Sequence, residues 1–534
     1  MDERRKIAVS AIMVGLGTLV SRVFGLLREV AMAAVFGTGV AADAFSVAFR
    51  FPNLLHNLVG EGSLSAAFLP KFTEVEQREG PEAAYQMASA VFSALFVALI
   101  LICAAGIVFA PTLINLMVIG WQDDLPRRLL AVKLVRILFG FAGFMGLSAY
   151  CQAILNARRR FFVSSVAPAF MNLFWLVGAV VAGYFVSTET SRIETVAVFV
   201  VLGSSFQFLW QFIWIRRLGW RFSWSVRSRL RELVEVGLLL LPGLLALASH
   251  QINYFADVLL ASLLPGGSVS SLTYANRLLF LPLGLVGYAI ATATLPSLSM
   301  SAALQERDKL ARLLSYTARS IFTLLLPIAF AAVTLRTEIV SLLFERGSFD
   351  AARSTPMVAS ALMCYMIGLP FFGLTRGLTQ GFYALKNTLL PVLITAFGVV
   401  INIELSMIFM FYFDHAGLAL GTSLTGIFTT VMLLFNIKKL LPEMRIRPIV
   451  SNLLRVTVAG GLSALTAWLF VIDFSGEIQT NIPLLTKSLK LALPCALYFA
   501  IFLLFSKILN IVEVGEVSSR VLKRLFRIKQ DRAE

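Results

Sequence analysis

The sequence predicts an all-α, polytopic membrane protein, and three observations carry that expectation. Hydrophobic residues make up 58% of the 534 positions and charged ones only 14%, with 44 Phe. A soluble interior is too small to hide that much apolar surface. Apolar runs of about 20 residues or more recur along the whole chain, each long enough to cross a hydrocarbon layer as a helix. Basic residues, finally, crowd into alternate loops.

About fourteen spans follow from the apolar runs: 7–36, 41–70, 83–110, 129–156, 161–186, 194–215, 232–264, 268–300, 312–335, 354–385, 387–413, 416–437, 449–472 and 482–506. The start, "MDERRKIAVSAIMVGLGTLV", has the charged head and apolar run of a signal sequence. Its apolar pattern runs on to Phe36 without a cleavage site, which predicts a retained first helix. Between the spans, Lys and Arg gather at Arg4–Lys6, Arg158–Arg160, Arg216 to Arg231, Arg307–Arg312, Lys438–Arg447 and Arg520 to Arg532. About 29 basic residues lie on that side and about 7 on the other, the asymmetry that marks the cytoplasmic face. Both termini are therefore expected in the cytoplasm. The excess of 46 Lys+Arg over 30 Asp+Glu, a net +16, is a topology signal and does not indicate nucleic acid. The loop "RRLGWRFSWSVRSRLRE" (216–232) suits an interfacial cytoplasmic linker. Cys103, Cys151, Cys364 and Cys495 fall inside spans at unpaired spacings and are read as packing residues.

Shifting the chain on itself by about 228 residues aligns "REVAMAAVFGTG" with "ADVLLASLLPGG" and "LVGEGSLSAAFLP" with "LVGYAIATATLP". It also pairs Gln152 with Gln380, Arg158 with Lys386, and the helix of Asn172 with that of Asn402. Six spans separate the copies, so both enter the membrane from the same side and the repeat is parallel. Such halves usually enclose a central cavity. The expected organisation is an N-terminal six-helix lobe at 1–226, a C-terminal six-helix lobe at 227–447, and spans 13–14 with a basic tail at 448–534.

Charges inside spans are expensive, about 2.5–3.5 kcal/mol each on insertion scales, and cannot face lipid. Taking Asp43 as zero, Arg50 falls near −20°, Asn57 near −40° and Glu61 near 0°, so span 2 carries one polar stripe. His56 lies off it, and Pro52 is expected to bend the helix. Span 1 adds Arg22 and Glu29 on one face, with Arg28 turned about a third of the way round. Two readings stand. The arginines pair with Glu29, Asp43 and Glu61 to lock spans 1 and 2 together, or they line a hydrated cavity. In the second half, His250, Asn253 and Asp257 share a face of span 7, Arg277 lies in span 8, and Arg376, Gln380 and Tyr383 share a face of span 10. Arg277 and Arg376 have no carboxylate within a turn of their own helices. Arginine is permanently charged and binds phosphate or carboxylate through two donors at once, so Arg22, Arg28, Arg50, Arg277 and Arg376 together call for an anion. Arg319, Glu404 and His250 are read as satisfied polar core residues.

The stretches "SRVFGLLREVAMAAVFGTGVAADAFSVAFRFPNLL", "GSVSSLTYANRLLFLPLGLVGYAIATATLPSLS", "LFERGSFD" and "GFYALKNTLLP" resemble the MurJ (MviN) lipid II flippase family, within the multidrug/oligosaccharidyl-lipid/polysaccharide exporter superfamily. The resemblance covers nearly the whole chain. It implies two six-helix lobes in a V around a cationic cavity, with two C-terminal helices forming a groove for a lipid tail. It also implies a substrate, the undecaprenyl-pyrophosphate-linked peptidoglycan precursor (lipid II), moved to the periplasmic leaflet by alternating access. The family's cavity charges fall on Arg22, Arg28, Asp43, Arg50, Glu61, Arg277 and Arg376, with Glu29, His56 and Asp257 as further cavity or gating groups. His56 stands where some relatives carry arginine, and Phe280 follows Arg277 where some carry an acid.

These readings place the chain in the bacterial inner membrane, with the membrane, lipid II and cell-wall synthesis or division proteins as partners. They imply no cofactor and leave open which ion or potential drives the cycle. The alternatives are a flippase for another lipid-linked oligosaccharide, a drug/cation antiporter of the same superfamily, or a non-transporting scaffold. Neither a P-loop, a nucleophile elbow nor an HExxH pattern occurs, which argues against an enzyme. The topology is testable: cysteines placed at Gly39, Gly266 and His415 label from the periplasm, and those at Arg159, Arg227 and Arg445 are protected. The reverse pattern would sink the fourteen-span reading.

Overall fold

The computed structural model describes residues 3–60, 63–224, 229–474 and 483–515. Helices account for nearly all of them, and every expected span coincides with one or two. The first eight are α1 (Glu3–Phe36), α2 (Val40–Gly60), α3 (Ser63–Glu79), α4 (Pro81–Val108), α5 (Ala110–Met117), α6 (Leu125–Ala157), α7 (Phe161–Phe185) and α8 (Glu189–Arg217). After them come α9 (Leu230–Ser262), α10 (Ser268–Pro282), α11 (Tyr288–Ala303), α12 (Arg307–Thr334), α13 (Arg336–Phe344), α14 (Ser354–Ala384), α15 (Leu389–Leu440), α16 (Arg447–Phe474) and α17 (Pro483–Ile508). Among the described residues, ten helices are long and apolar enough to cross a membrane. One of these, α15, holds both spans 387–413 and 416–437. It breaks at Asp414, whose φ of 48° and ψ of −131° lie outside the helical region.

Two expectations change. Span 41–70 is two helices, and α3 runs nine residues past its expected end because its second half is polar and projects as an ion-paired helix. The contacts divide the chain after Ser270 rather than after 226. One compact unit comprises residues up to Ser270 with Arg346–Asp350, and the other comprises Ser271–Glu345 and the chain from Ala351. The cause is α9, which packs on α2, α3 and α4.

The first unit is built on α6, which touches α2, α4 and α8, while α1 lies along α7. Its core is aromatic: Phe68, Phe72, Phe92, Tyr150 and Trp220 pack with Met87, Cys151 and Ile154. The Tyr150 hydroxyl donates to Ala88 O at 2.6 Å, which satisfies the one polar atom this ring brings inside. The described start of the linker after α8 anchors into the core through one tryptophan. Trp220 is fully buried, and its Nε1 donates to Ser89 Oγ at 3.1 Å and Tyr85 O at 3.2 Å. Burying an indole with its donor satisfied outweighs leaving it at a headgroup layer. The "LFERGSFD" motif also has a local reason. Ser348 N donates to Ala34 O at 2.8 Å, and a Cβ on Gly347, whose φ is +59°, would lie 2.3 Å from that same oxygen. Only glycine fits there.

In the second unit α14 is central, in contact with α11, α12 and α15, and α16 and α17 pack onto α12. A π-helical turn at Leu283–Gly287 joins α10 to α11 just after Pro282. A Cβ on Gly287 would come within 3.2 Å of Gly373 Cα, so two glycines let α11 and α14 approach backbone to backbone. At the far end Lys487 Nζ donates to Glu345 O and Oε1, both at 3.0 Å, tying α17 to the end of α13.

Candidate functional site: charged side chains of the membrane helices

Each unit holds its own set of charges. In the first, Arg28 is buried at 8% exposure on the α1 face against α7. Its Nη1 donates to Asn172 Oδ1 at 2.9 Å and its Nη2 to Glu29 Oε1 at 2.6 Å. Its guanidinium carbon lies 4.0 Å from the Trp175 ring centre. Asn172 is held in turn, with Nδ2 donating to Ser21 O at 3.2 Å. Trp175 is braced by Phe45 and Phe49, at 5.4 and 5.1 Å between ring centres. Arg28 is thus engaged on two edges and one face by protein. Arg22, six residues earlier, is exposed, and among the described residues it has no ion-pair partner.

The polar stripe of α2 divides. Asp43 is fully buried and pairs with Arg127 of α6, while its two oxygens accept from Gly267 N and Ser270 N, both at 2.7 Å. The carboxylate therefore caps the first turn of α10 with three charge-assisted or backbone bonds, the kind of satisfaction a buried anion requires. Arg127 is itself sandwiched, its guanidinium carbon 3.8 Å from the Trp121 ring centre. Arg50, two turns along, is half-buried over Tyr254 of α9, 4.7 Å from its ring centre. His56 is half-buried, edge-on to Phe141 at 6.1 Å. Asp257 is half-buried on α9. Glu61 and the side chain of His250 lie outside the described residues.

In the second unit Arg277 on α10 and Arg376 on α14 are both exposed. Arg376 lies 4.9 Å from the centre of the Tyr288 ring, at the first residue after the π turn. Arg319 is ion-paired, with Nη1 on Glu513 Oε1 at 2.6 Å. Asn452 Nδ2 donates to the other Glu513 oxygen at 3.0 Å. Glu404 is exposed, unlike the buried polar residue expected: the buried face of its helix segment runs through Gly398, Asn402 and Ser406, and Glu404 lies off it.

The pairs that form differ from the expected lock between spans 1 and 2. Arg28 pairs with Glu29 of its own helix, which ties no second span to it, and the partner of Asp43 is Arg127, which sequence reasoning left in a loop. A signal for it existed: Asp43 and Arg127 stand near the starts of spans 2 and 4, which enter from the same side. Asn172, Trp175, Tyr254 and Tyr288, which hold or stack on the arginines, were also missed. An aromatic or amide on an apolar helix carries no mark distinguishing it from ordinary packing.

A family profile described as "Lipid II flippase MurJ" matches residues 32–488. The chain belongs to the lipid II flippase MurJ family. It is 31% identical over 496 residues to the probable lipid II flippase MurJ of Rhizobium meliloti, covering 91% of this chain and 92% of the relative. To the lipid II flippase MurJ of Burkholderia cenocepacia it is 33% identical over 429 residues, covering 79% and 82%. Among solved structures it resembles a lipid II flippase MurJ in an inward closed conformation, with a TM-score of 0.77 and 25% identity over 93% of this chain and 98% of that one. An inward-facing multidrug resistance transporter of the MATE family shares the fold at TM-score 0.65 and 16% identity, covering 81% and 98%. The family is one of membrane transporters, not enzymes.

The Asp43–Arg127 pair gives a direct test. Arg127→Ala leaves a buried carboxylate uncompensated and is expected to destabilise the protein by about 3–5 kcal/mol, read as the thermal midpoint in detergent. Asp43→Ala/Arg127→Ala removes charge and partner together and costs less than the two single changes combined. Strict additivity would show that the pair is not coupled.

Proposed function

We propose that this chain is a lipid II flippase, carrying the undecaprenyl-pyrophosphate-linked precursor from the cytoplasmic to the periplasmic leaflet of the bacterial inner membrane by alternating access. Both termini face the cytoplasm. The observation that carries the reading is the presence of arginines on membrane helices that the fold does not bury: Arg22, Arg277 and Arg376 are exposed residues and Arg50 is half-buried. A permanently charged side chain persists in a span only where something other than lipid meets it. A pyrophosphate offers two clusters of acceptor oxygens at the spacing that guanidinium forks bind. In this reading Arg22 and Arg50 in one unit and Arg277 and Arg376 in the other each bind the headgroup at some stage of the cycle. Arg28, held by Asn172 and Trp175, presents its remaining charge from a fixed position. A drug/cation antiporter would instead present carboxylates to its ligand, and Asp43 is consumed by Arg127.

Charge-assisted bonds of this kind contribute about 1.5–3 kcal/mol each, so losing one weakens headgroup binding about ten- to a hundredfold. Expressed in cells depleted of their own lipid II flippase, the wild-type chain is expected to restore growth. Arg277→Ala and Arg376→Ala should fail to do so at normal membrane abundance, and the Lys variants should restore it in part. Full rescue by both Ala variants would favour a scaffold in which these charges carry no substrate.

A further inference from the structure

The polar half of α3 and the start of α9 meet along a seam of ion pairs that the transport reading does not use. Lys71 Nζ lies 2.6 Å from Glu235 of α9, and Glu79 lies 2.6 Å from Arg229, the residue that precedes α9. The helices run antiparallel, since 71 to 79 on one faces 235 to 229 on the other. The two pairs have opposite polarity, so a slip of one helix along the other would set like charges together. That arrangement fixes register as well as proximity.

Three of the four residues that bridge the seam also have a partner three or four positions away in the chain. Lys71 contacts Glu74 at 3.2 Å, Arg229 contacts Glu232 at 2.9 Å, and Glu235 contacts Arg231 at 3.2 Å. When the seam parts, these three charges keep an ion pair, so opening strands only Glu79, which is nearly half exposed and meets water. A permanent joint in this unit looks different: Asp43 and Arg127 are buried, and among the described residues Asp43 pairs with no other cation. The apolar layer under the bridges is thin. Leu233 and Leu240 of α9, only partly buried, pack against the Phe68 and Phe72 cluster, with buried Val236 on the same face between them. The hydrogen bond it donates to Glu235 holds the Lys71 ammonium above its ordinary pKa, in keeping with a formed bridge.

We propose that the α3–α9 seam is a reversible electrostatic clasp, closed in this structure and opened during the transport cycle as α9 parts from α3. The proposal rests on the flippase reading for its purpose, but its geometry can be tested apart from transport. Partly exposed pairs are weak individually, so Lys71→Glu is expected to raise the thiol-labelling rate of Val236→Cys in membrane vesicles about two- to fivefold. Adding Glu235→Lys should return the rate to its starting value. Unchanged labelling in Lys71→Glu would overturn the clasp.

The second arm asks whether opening is needed. Lys71→Cys/Glu235→Cys joined by a short, reducible bis-thiosulfonate linker should lose rescue of flippase-depleted cells and regain it on reduction. Normal transport with most of the protein joined would show that the seam stays shut throughout the cycle. A wild-type chain that does not rescue at all would count against the flippase reading and leave the labelling result standing.

Discussion

A charge that enters a membrane must be met by protein, water or ligand, because lipid supplies no partner. The Asp43 carboxylate is where this chain meets that constraint most completely. Three donors converge on it: the Arg127 guanidinium and two backbone amides at the start of α10. They fix α2 against α6, and they fix where the chain leaving α9 turns into its next helix. Trp121 covers the outer face of Arg127, so the pair is sealed as well as neutralised. Remove the carboxylate and the loop loses its cap; remove the arginine and a buried anion is stranded.

The same constraint sorts the arginines. Arg28, Arg127 and Arg319 are answered within the protein by Glu29 and Asn172, by Asp43, and by Glu513. Arg22, Arg277 and Arg376 are exposed residues on helices that are largely apolar. Arg50 and Arg376 rest over the tyrosines Tyr254 and Tyr288, which orient the planar group through its face. A single unit thus contains charges that build the scaffold and charges that the scaffold displays.

Much of this was legible in the sequence. Apolar runs located the helices because a backbone in lipid must satisfy itself within the segment, and helical facing put Asp43, Arg50 and Arg28 near the centre of the problem. What the sequence hid was pairing at a distance. Arg127 lies 84 positions from Asp43, and only the fold shows that the two helix starts adjoin. Trp220 reads as an interfacial residue by composition yet is buried, because Ser89 and Tyr85 O accept its N–H and pull the linker into the core. The division after Ser270 was equally hidden: α9 belongs with the first unit through ion pairs to α3, and the internal repeat carries no trace of those charges.

The central claim is that exposed membrane arginines on this chain carry a lipid-linked pyrophosphate across the bilayer. Its most direct measurement is the fraction of lipid II reached by an externally added lipid II-cleaving enzyme, in spheroplasts depleted of their own flippase and supplied with this chain. The account predicts that the wild-type chain raises that fraction well above the depleted background, and that Arg277→Ala at equal abundance leaves it at background. An externally accessible fraction that stays at background with the wild-type chain, or that rises equally with Arg277→Ala, would contradict it.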